Sequence, residues 1–199
     1  MSNHSLIIEA MARPLSEAKR EAILDAATKL VAAQGLGAPT AAIAREARIA
    51  EGTLFTYFAN KDELLGQLYL ALKTDLASTV LKDYPAAGSI RARLQHVWNG
   101  FVDWGADTPA KRKAIRQLAV SDRIRDETRR QGALAFAEIS AMLEQSRTDG
   151  VLKQHSQVFV GTVMEALTEA MLDLIAREPH RREHYKQAGF EVLWHGLAT

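Results

Sequence analysis

The chain has 199 residues, 47% of them hydrophobic and 25% charged, with a formal net charge of +1 and no cysteine. That length can bury a core unaided. The absence of cysteine excludes disulfides, a thiolate metal site, a cysteine nucleophile and thiol redox sensing, in keeping with a reducing, cytoplasmic setting. A charge so near zero leaves no general basic field, so any nucleic-acid contact must rest on locally placed groups.

The first fifteen residues lack a basic segment followed by a long apolar run, unlike a secretory signal, and are expected to form a mobile tail. Ser16 then begins a helix in which Ile23, Ala27, Leu30 and Val31 recur at helical spacing. Gly35-Leu36-Gly37 ends it. A short helix from Thr40 to Ala47 follows, and another begins three residues later, from Glu51 to Phe58. Lys61 to Leu81 carries Leu64, Leu65, Leu68, Leu72 and Leu76 along one stripe. Ser89 caps a fifth helix reaching Gly105, and Pro109 opens a sixth reaching Ser121. A long seventh is expected from Asp122 to Asp149, closed by Gly150. Gln157–Arg177 and His180–Leu197, parted by Pro179, complete an all-α chain of about nine helices. The division falls into a helix-turn-helix unit over 16–60 and a larger body over 61–199. The most apolar stretch, Val158 to Ile175, is interrupted by Glu165, Glu169 and Asp173 and is not a membrane span.

Two short helices joined by a tight turn, here over 40–58, have the geometry of a DNA-reading helix-turn-helix. On the second of them, Leu54 and Phe58 define the buried edge. Thr56 points the opposite way, flanked by Gly52 and Thr53. This small, uncharged face suits close entry into a major groove, where threonine meets thymine methyls, base edges or phosphates. Packing of an ordinary helical hairpin would explain Leu-Phe-Thr-Tyr-Phe equally well if the pattern stood alone.

It does not stand alone. The run Thr40-Ala-Ala-Ile43-Ala44-Arg45-Glu-Ala47-Arg-Ile49-Ala-Glu-Gly52-Thr53-Leu54-Phe55-Thr-Tyr57-Phe58-Ala-Asn60-Lys61-Asp-Glu-Leu64-Leu65 resembles the TetR-family pattern T-x-x-I-A-x-x-A-G-V-S-x-G-T-L-Y-x-Y-F-x-x-K-x-x-L. The resemblance implies a transcriptional regulator, commonly a repressor, that binds a palindromic operator as a homodimer and is released by a small apolar or amphipathic effector. It implies no cofactor and no metal. It also implies that Thr40 bonds a phosphate, that Thr53 and Thr56 face bases, and that Tyr57 and Lys61 contact phosphates. Arg45 reaches base or backbone, and Gly52 allows close approach.

Four residues depart from the pattern. Arg48 stands where glycine is usual, in a turn that often needs a left-handed backbone. Ala50 replaces a serine cap, at a cost of about 1 kcal/mol. Phe55 removes a tyrosine hydroxyl. Glu51 brings a carboxylate to the DNA-facing side, where it reads a cytosine amino group or simply favours the helix N-terminus. Over residues 1–65 there are seven Lys and Arg against eight Asp and Glu, a difference of −1, so non-specific affinity is expected to be modest.

In the body, Trp98, Phe101, Trp104, Phe136, Met142, Met164, Leu167 and Met171 are the candidates for an apolar pocket, although plain core packing accounts for each singly. His96, Asn99 and Glu165 are the candidate polar groups within it. The eighth helix is apolar nearly all round, which calls for burial on two sides. The resemblance implies a two-fold interface through the last two helices, with Phe159, Val163, Leu174, Phe190, Leu193 and Trp194 as candidates. His180 and His184 have metal-compatible spacing, but the sequence offers no third ligand. No G-x-S-x-G, phosphate-cradling glycine loop or paired-carboxylate constellation points to an enzyme. The competing reading is a helical ligand-binding or adaptor module that has lost DNA binding.

Overall fold

The computed structural model of the chain describes residues 16–152 and 155–198, so the expected tail at 1–15 lies outside the described residues. Among the described residues there are ten α-helices, one 3-10 turn at Pro179–Arg181 and no strand beyond an isolated bridge between Leu152 and Ala198. The helices are α1 (Glu17–Gln34), α2 (Thr40–Glu46), α3 (Glu51–Tyr57), α4 (Lys61–Leu81), α5 (Ile90–Asp107), α6 (Pro109–Ala119), α7 (Asp126–Leu134), α8 (Ala137–Thr148), α9 (Gln157–Arg177) and α10 (Arg182–Leu197). None is long and apolar enough to cross a membrane.

Local chemistry sets several of the ends. The side chains of Asn60, Ser89 and Ser156 accept hydrogen bonds from the backbone N–H of Glu63, Ala92 and Phe159, which caps α4, α5 and α9. Glu63 returns the bond at α4, accepting from the Ala59 N–H at 2.7 Å. Gly35, at φ 80°, ends α1 in a conformation that a Cβ would oppose.

Two hydrophobic cores form. The first gathers Ile23, Ala27, Val31, Ile43, Leu54, Phe58, Leu64, Leu65, Leu68 and Leu72 together with Ala114, Leu118 and Ile124. Packing therefore runs across residue 60: α6, from the body, lies against α1. The second gathers Leu76, Val80, Leu94, Val97, Trp98, Val102, Ile139, Met142, Met164, Leu172, Phe190 and Leu193. Helix α4 serves both.

The expected long helix over Asp122–Asp149 is two helices. Ile124 turns into the first core, so α7 starts only at Asp126, and Phe136 leaves helical geometry at φ −112°, ψ 21°. That break lets each half pack on a different neighbour. Gly132 of α7 sits so close to α4 that an added Cβ would lie 2.8 Å from Cε1 of Tyr69, while Phe136 stacks on Phe101 of α5 at 6.0 Å between centroids. A straight helix could not meet both.

The turn between α2 and α3 carries two local costs. Arg48 sits at φ 58°, the left-handed region that disfavours a side chain. Ala50 occupies the N-cap position of α3 in an extended conformation and supplies no side-chain acceptor. Ala50→Ser is expected to stabilise the protein by about 1 kcal/mol, raising Tm by roughly 2–4 °C in a thermal melt.

Candidate functional site

At the tip of the first core, α3 exposes the face expected to read DNA. Leu54 and Phe58 are fully buried, which fixes the helix's rotation and turns Gly52, Phe55 and Thr56 outward. A Cβ at Gly52 would meet nothing within 4 Å, and its φ is ordinary. Nothing among the described residues requires glycine there. Thr56 donates its hydroxyl to the Gly52 carbonyl at 3.2 Å and shows its methyl to solvent.

The flanking residues are held in specific ways. Thr40 is the first residue of α2, with Pro39 before it in the cap position, and its hydroxyl donates to Glu51 Oε1 at 2.6 Å. The donor expected to bond a phosphate is thus engaged by a carboxylate of the same protein. Tyr57 is half-buried, and its hydroxyl accepts the Ser16 backbone N–H at 3.0 Å, tying α3 to the start of α1. Its own O–H remains a donor toward solvent. Lys61 opens α4. Desolvation and the nearby Arg123 lower its pKa, while Asp62 opposes them. Arg45 is exposed at the end of α2.

A second site opens in the body. A cavity of about 540 Å³ lies between α4, α5, α6, α8 and α9, within the size range of small-molecule pockets. Phe101, Trp104, Phe136 and Met164 of the sequence candidates line it, with Tyr69, Lys73, Leu76, Ile115 and Leu172. The other four candidates are placed elsewhere. Trp98 is fully buried against α10 and donates its indole N–H to the Lys186 carbonyl at 2.8 Å. Met142 is fully buried in the second core. Met171 packs beside Gly189, and Leu167 lies against the second core without reaching the cavity wall. Among the candidate polar groups, Glu165 lines the cavity, whereas His96 stands edge-on to Tyr84 and Asn99 is not on the wall. Helical spacing could not separate these residues, because apolar spacing marks burial and not which buried side chains border a void. Lys73 was missed for a related reason: on a helix wheel, a lysine looks like a solvated group.

Polar contacts fix the cavity walls. Trp104 Nε1 donates to Asp75 at 2.7 Å and Lys111 Nζ to the other carboxylate oxygen at 2.8 Å, joining α4, α5 and α6. Burial opposes the charge on Asp75, yet these two donors outweigh it and hold the carboxyl below its ordinary pKa. Arg112 of α6 reaches Glu169 of α9 through Nε at 2.9 Å and Nη2 at 2.6 Å and also meets Asp173 at 2.6 Å. Arg116 joins the same Glu169 at 2.7 Å.

Of the candidate interface residues, Phe190 and Leu193 are fully buried in the second core of this chain. The intervening turns of α10 point them inward and Val192 outward. Val192 is 62% exposed and Phe159 46%, while Val163, Leu174 and Trp194 are half-buried. His180 and His184 are exposed near the start of α10.

Residues 23–68 match the family model of bacterial regulatory proteins, tetR family. A curated relative, an uncharacterized HTH-type transcriptional regulator of Haemophilus influenzae, is 29% identical over 98 residues, which is 49% of this chain. The chain spans about half that relative's length, 52%. Among solved structures, a protein of Shewanella sp. PV-4 described as a tetR family transcription regulator is 26% identical, with TM-score 0.83 over 91% of this chain and 98% of that one. A TetR family transcription regulator of Marinobacter aquaeolei VT8 shares the fold at TM-score 0.84 and 20% identity, over 92% and 96% of the two chains.

The lowered pKa of Asp75 has a signed consequence. Its ionised form is favoured by folding, so its contribution is present above the ordinary value of 3.8 and is lost as pH falls through the lower folded value. Asp75→Asn is expected to melt below wild type at pH 7. The gap between the two melting curves should narrow as pH is taken below 3.8.

Proposed function

We propose that the chain, whose residues 23–68 match the model of bacterial regulatory proteins of the tetR family, is a ligand-responsive repressor that binds a palindromic operator as a homodimer. The observation that carries the reading is the exposed, uncharged face of α3, where Gly52 has no intramolecular reason to be glycine and Thr53 and Thr56 stand beside it. Residues 16–60 are the DNA-binding unit and 61–199 the sensing and dimerisation unit. Thr53 and Thr56 meet base edges. Thr40, Arg45, Tyr57 and Lys61 meet the flanking backbone, and Gly52 lets α3 come close.

The effector occupies the cavity beside α4. That helix carries Lys61 at one end and Lys73 and Leu76 on the cavity wall. A ligand that binds one position of α4 better than another shifts the population of recognition-unit orientations. Two recognition helices must sit about 34–36 Å apart to enter successive major grooves, so a small swing removes half of the contacts. No enzymatic role is proposed.

The paired subunit docks on the outer face of α9 and α10, where Phe159 and Val192 are exposed and Val163, Leu174 and Trp194 half-buried. An isologous contact there repeats the reading unit about a two-fold axis. Val192→Glu places a charge at that contact. It is expected to convert a dimer to a monomer in light scattering coupled to gel filtration, and to abolish operator binding.

One observation favours the runner-up, a ligand-binding module without DNA binding: the Glu51 carboxylate already occupies the Thr40 hydroxyl. Selection of random duplex DNA on the purified protein separates the two readings. An enriched palindrome is the expected result, and no enrichment with a folded dimer would support the module. On the selected operator, Lys61→Ala should weaken binding and reduce the salt slope by about 1. Glu51→Gln, which removes the carboxylate's charge beside the phosphate donor, should tighten it.

A further inference from the structure

Lys73 lies midway along α4, half-buried on the cavity wall. Its Nζ sits 4.9 Å from the centroid of Phe136 and 5.8 Å from that of Tyr69. Among the described residues its ammonium has no hydrogen bond and no ion pair; it stands over two rings, with the Glu165 carboxylate within electrostatic reach. Burial pushes its pKa down, and Glu165 pulls it partly back. The other charges on this wall are satisfied among themselves, with Arg112 and Arg116 on Glu169 and Arg112 on Asp173. Glu165 is exposed, keeps its hydration and gains little from a counter-ion.

A second group in the same wall is also unsatisfied. Thr168 of α9 is 6% exposed, and its Oγ1 is buried with no hydrogen-bond partner among the described residues. A helical threonine ordinarily donates back to the carbonyl one turn earlier, as Thr162 of the same helix does to Val158 at 2.8 Å. The residue borders the cavity while its hydroxyl oxygen stays shielded from it.

We infer that the cavity takes an amphipathic organic anion of the carboxylate class, its head paired with the Lys73 ammonium and its apolar body against Phe101, Trp104, Met164 and Leu172. A desolvated ammonium without a hydrogen bond or ion pair gains from a counter-ion, because part of the cost of stripping its water has already been met in the fold. The aromatic and aliphatic lining selects an apolar body behind that head. This assignment rests on the reading of the cavity as the effector site.

The test uses three probes that share one tail: decanoate, 1-decanol and decylammonium, each titrated by calorimetry below its aggregation concentration at pH 7.5. Decanoate is expected to bind at least tenfold more tightly than decanol. Lys73→Met should remove that advantage and leave decanol unchanged. Its melting temperature should not fall below wild type, because the substitution deletes a buried unpaired charge. Lys73→Arg keeps the charge and should keep the preference; it serves if the methionine variant fails to fold. Equal affinity for decanoate and decanol, tightest binding of decylammonium, or a preference that survives Lys73→Met would overturn the anionic head while leaving the cavity as the effector site. Failure of all three probes to bind would overturn the effector-site reading and the inference with it.

Discussion

Helix α4 buries Leu64, Leu65, Leu68, Tyr69 and Leu72 in one core and Leu76 and Val80 in the other. Interiors packed at near-crystalline density transmit displacement instead of absorbing it. The helix has no internal proline, and its one internal glycine, Gly66, keeps ordinary helical geometry, so it bends at no evident hinge. Any rearrangement of the side chains around the cavity therefore has to be passed along α4, or through α6, which packs on α1. Coupling between the two ends follows from continuity of packing and needs no chain of special contacts.

Polar groups hold the body around the void. Asp75, Trp104 and Lys111 pin α4 to α5 and α6, Arg112 and Arg116 pin α6 to α9, and Arg182 pins α10 to Asp103 and Asp107 of α5. Several of these bonds are multidentate contacts from arginine, which fix orientation as well as distance. Gly105 approaches Leu172 so closely that a Cβ would lie 2.4 Å from its Cδ1. The helices around the cavity are thus tightly braced at its edges, and the open volume between them survives without collapse.

The departures from local rules gather around α3 and around the cavity. Arg48 in a left-handed turn, Ala50 without a cap and Thr40 bonded to a carboxylate lie around α3. The bare ammonium of Lys73 and the orphaned hydroxyl of Thr168 lie on the cavity wall. Elsewhere, the capped starts of α4, α5 and α9 and the glycine stop of α1 agree with the fold they form. Natural chains that obey their local rules in most places tend to break them where something other than folding is served.

Helix periods, capping residues and glycine or proline stops are local properties, so the sequence alone defines the all-α class and places the ends of α4 and α9. The helix-turn-helix is equally legible, because spacing within one short segment dictates which faces of α2 and α3 are buried. Contacts between distant segments are not local. The break at Phe136 arises because α7 and α8 face different neighbours. The inward turn of Phe190 and Leu193, and the split of the apolar candidates between cavity wall and solid core, depend on how whole helices rotate against each other. Lys73 shows the limit most clearly: its residue type predicts solvent, and only the packing of α7 and Phe136 against α4 makes it a half-buried cation on a cavity wall.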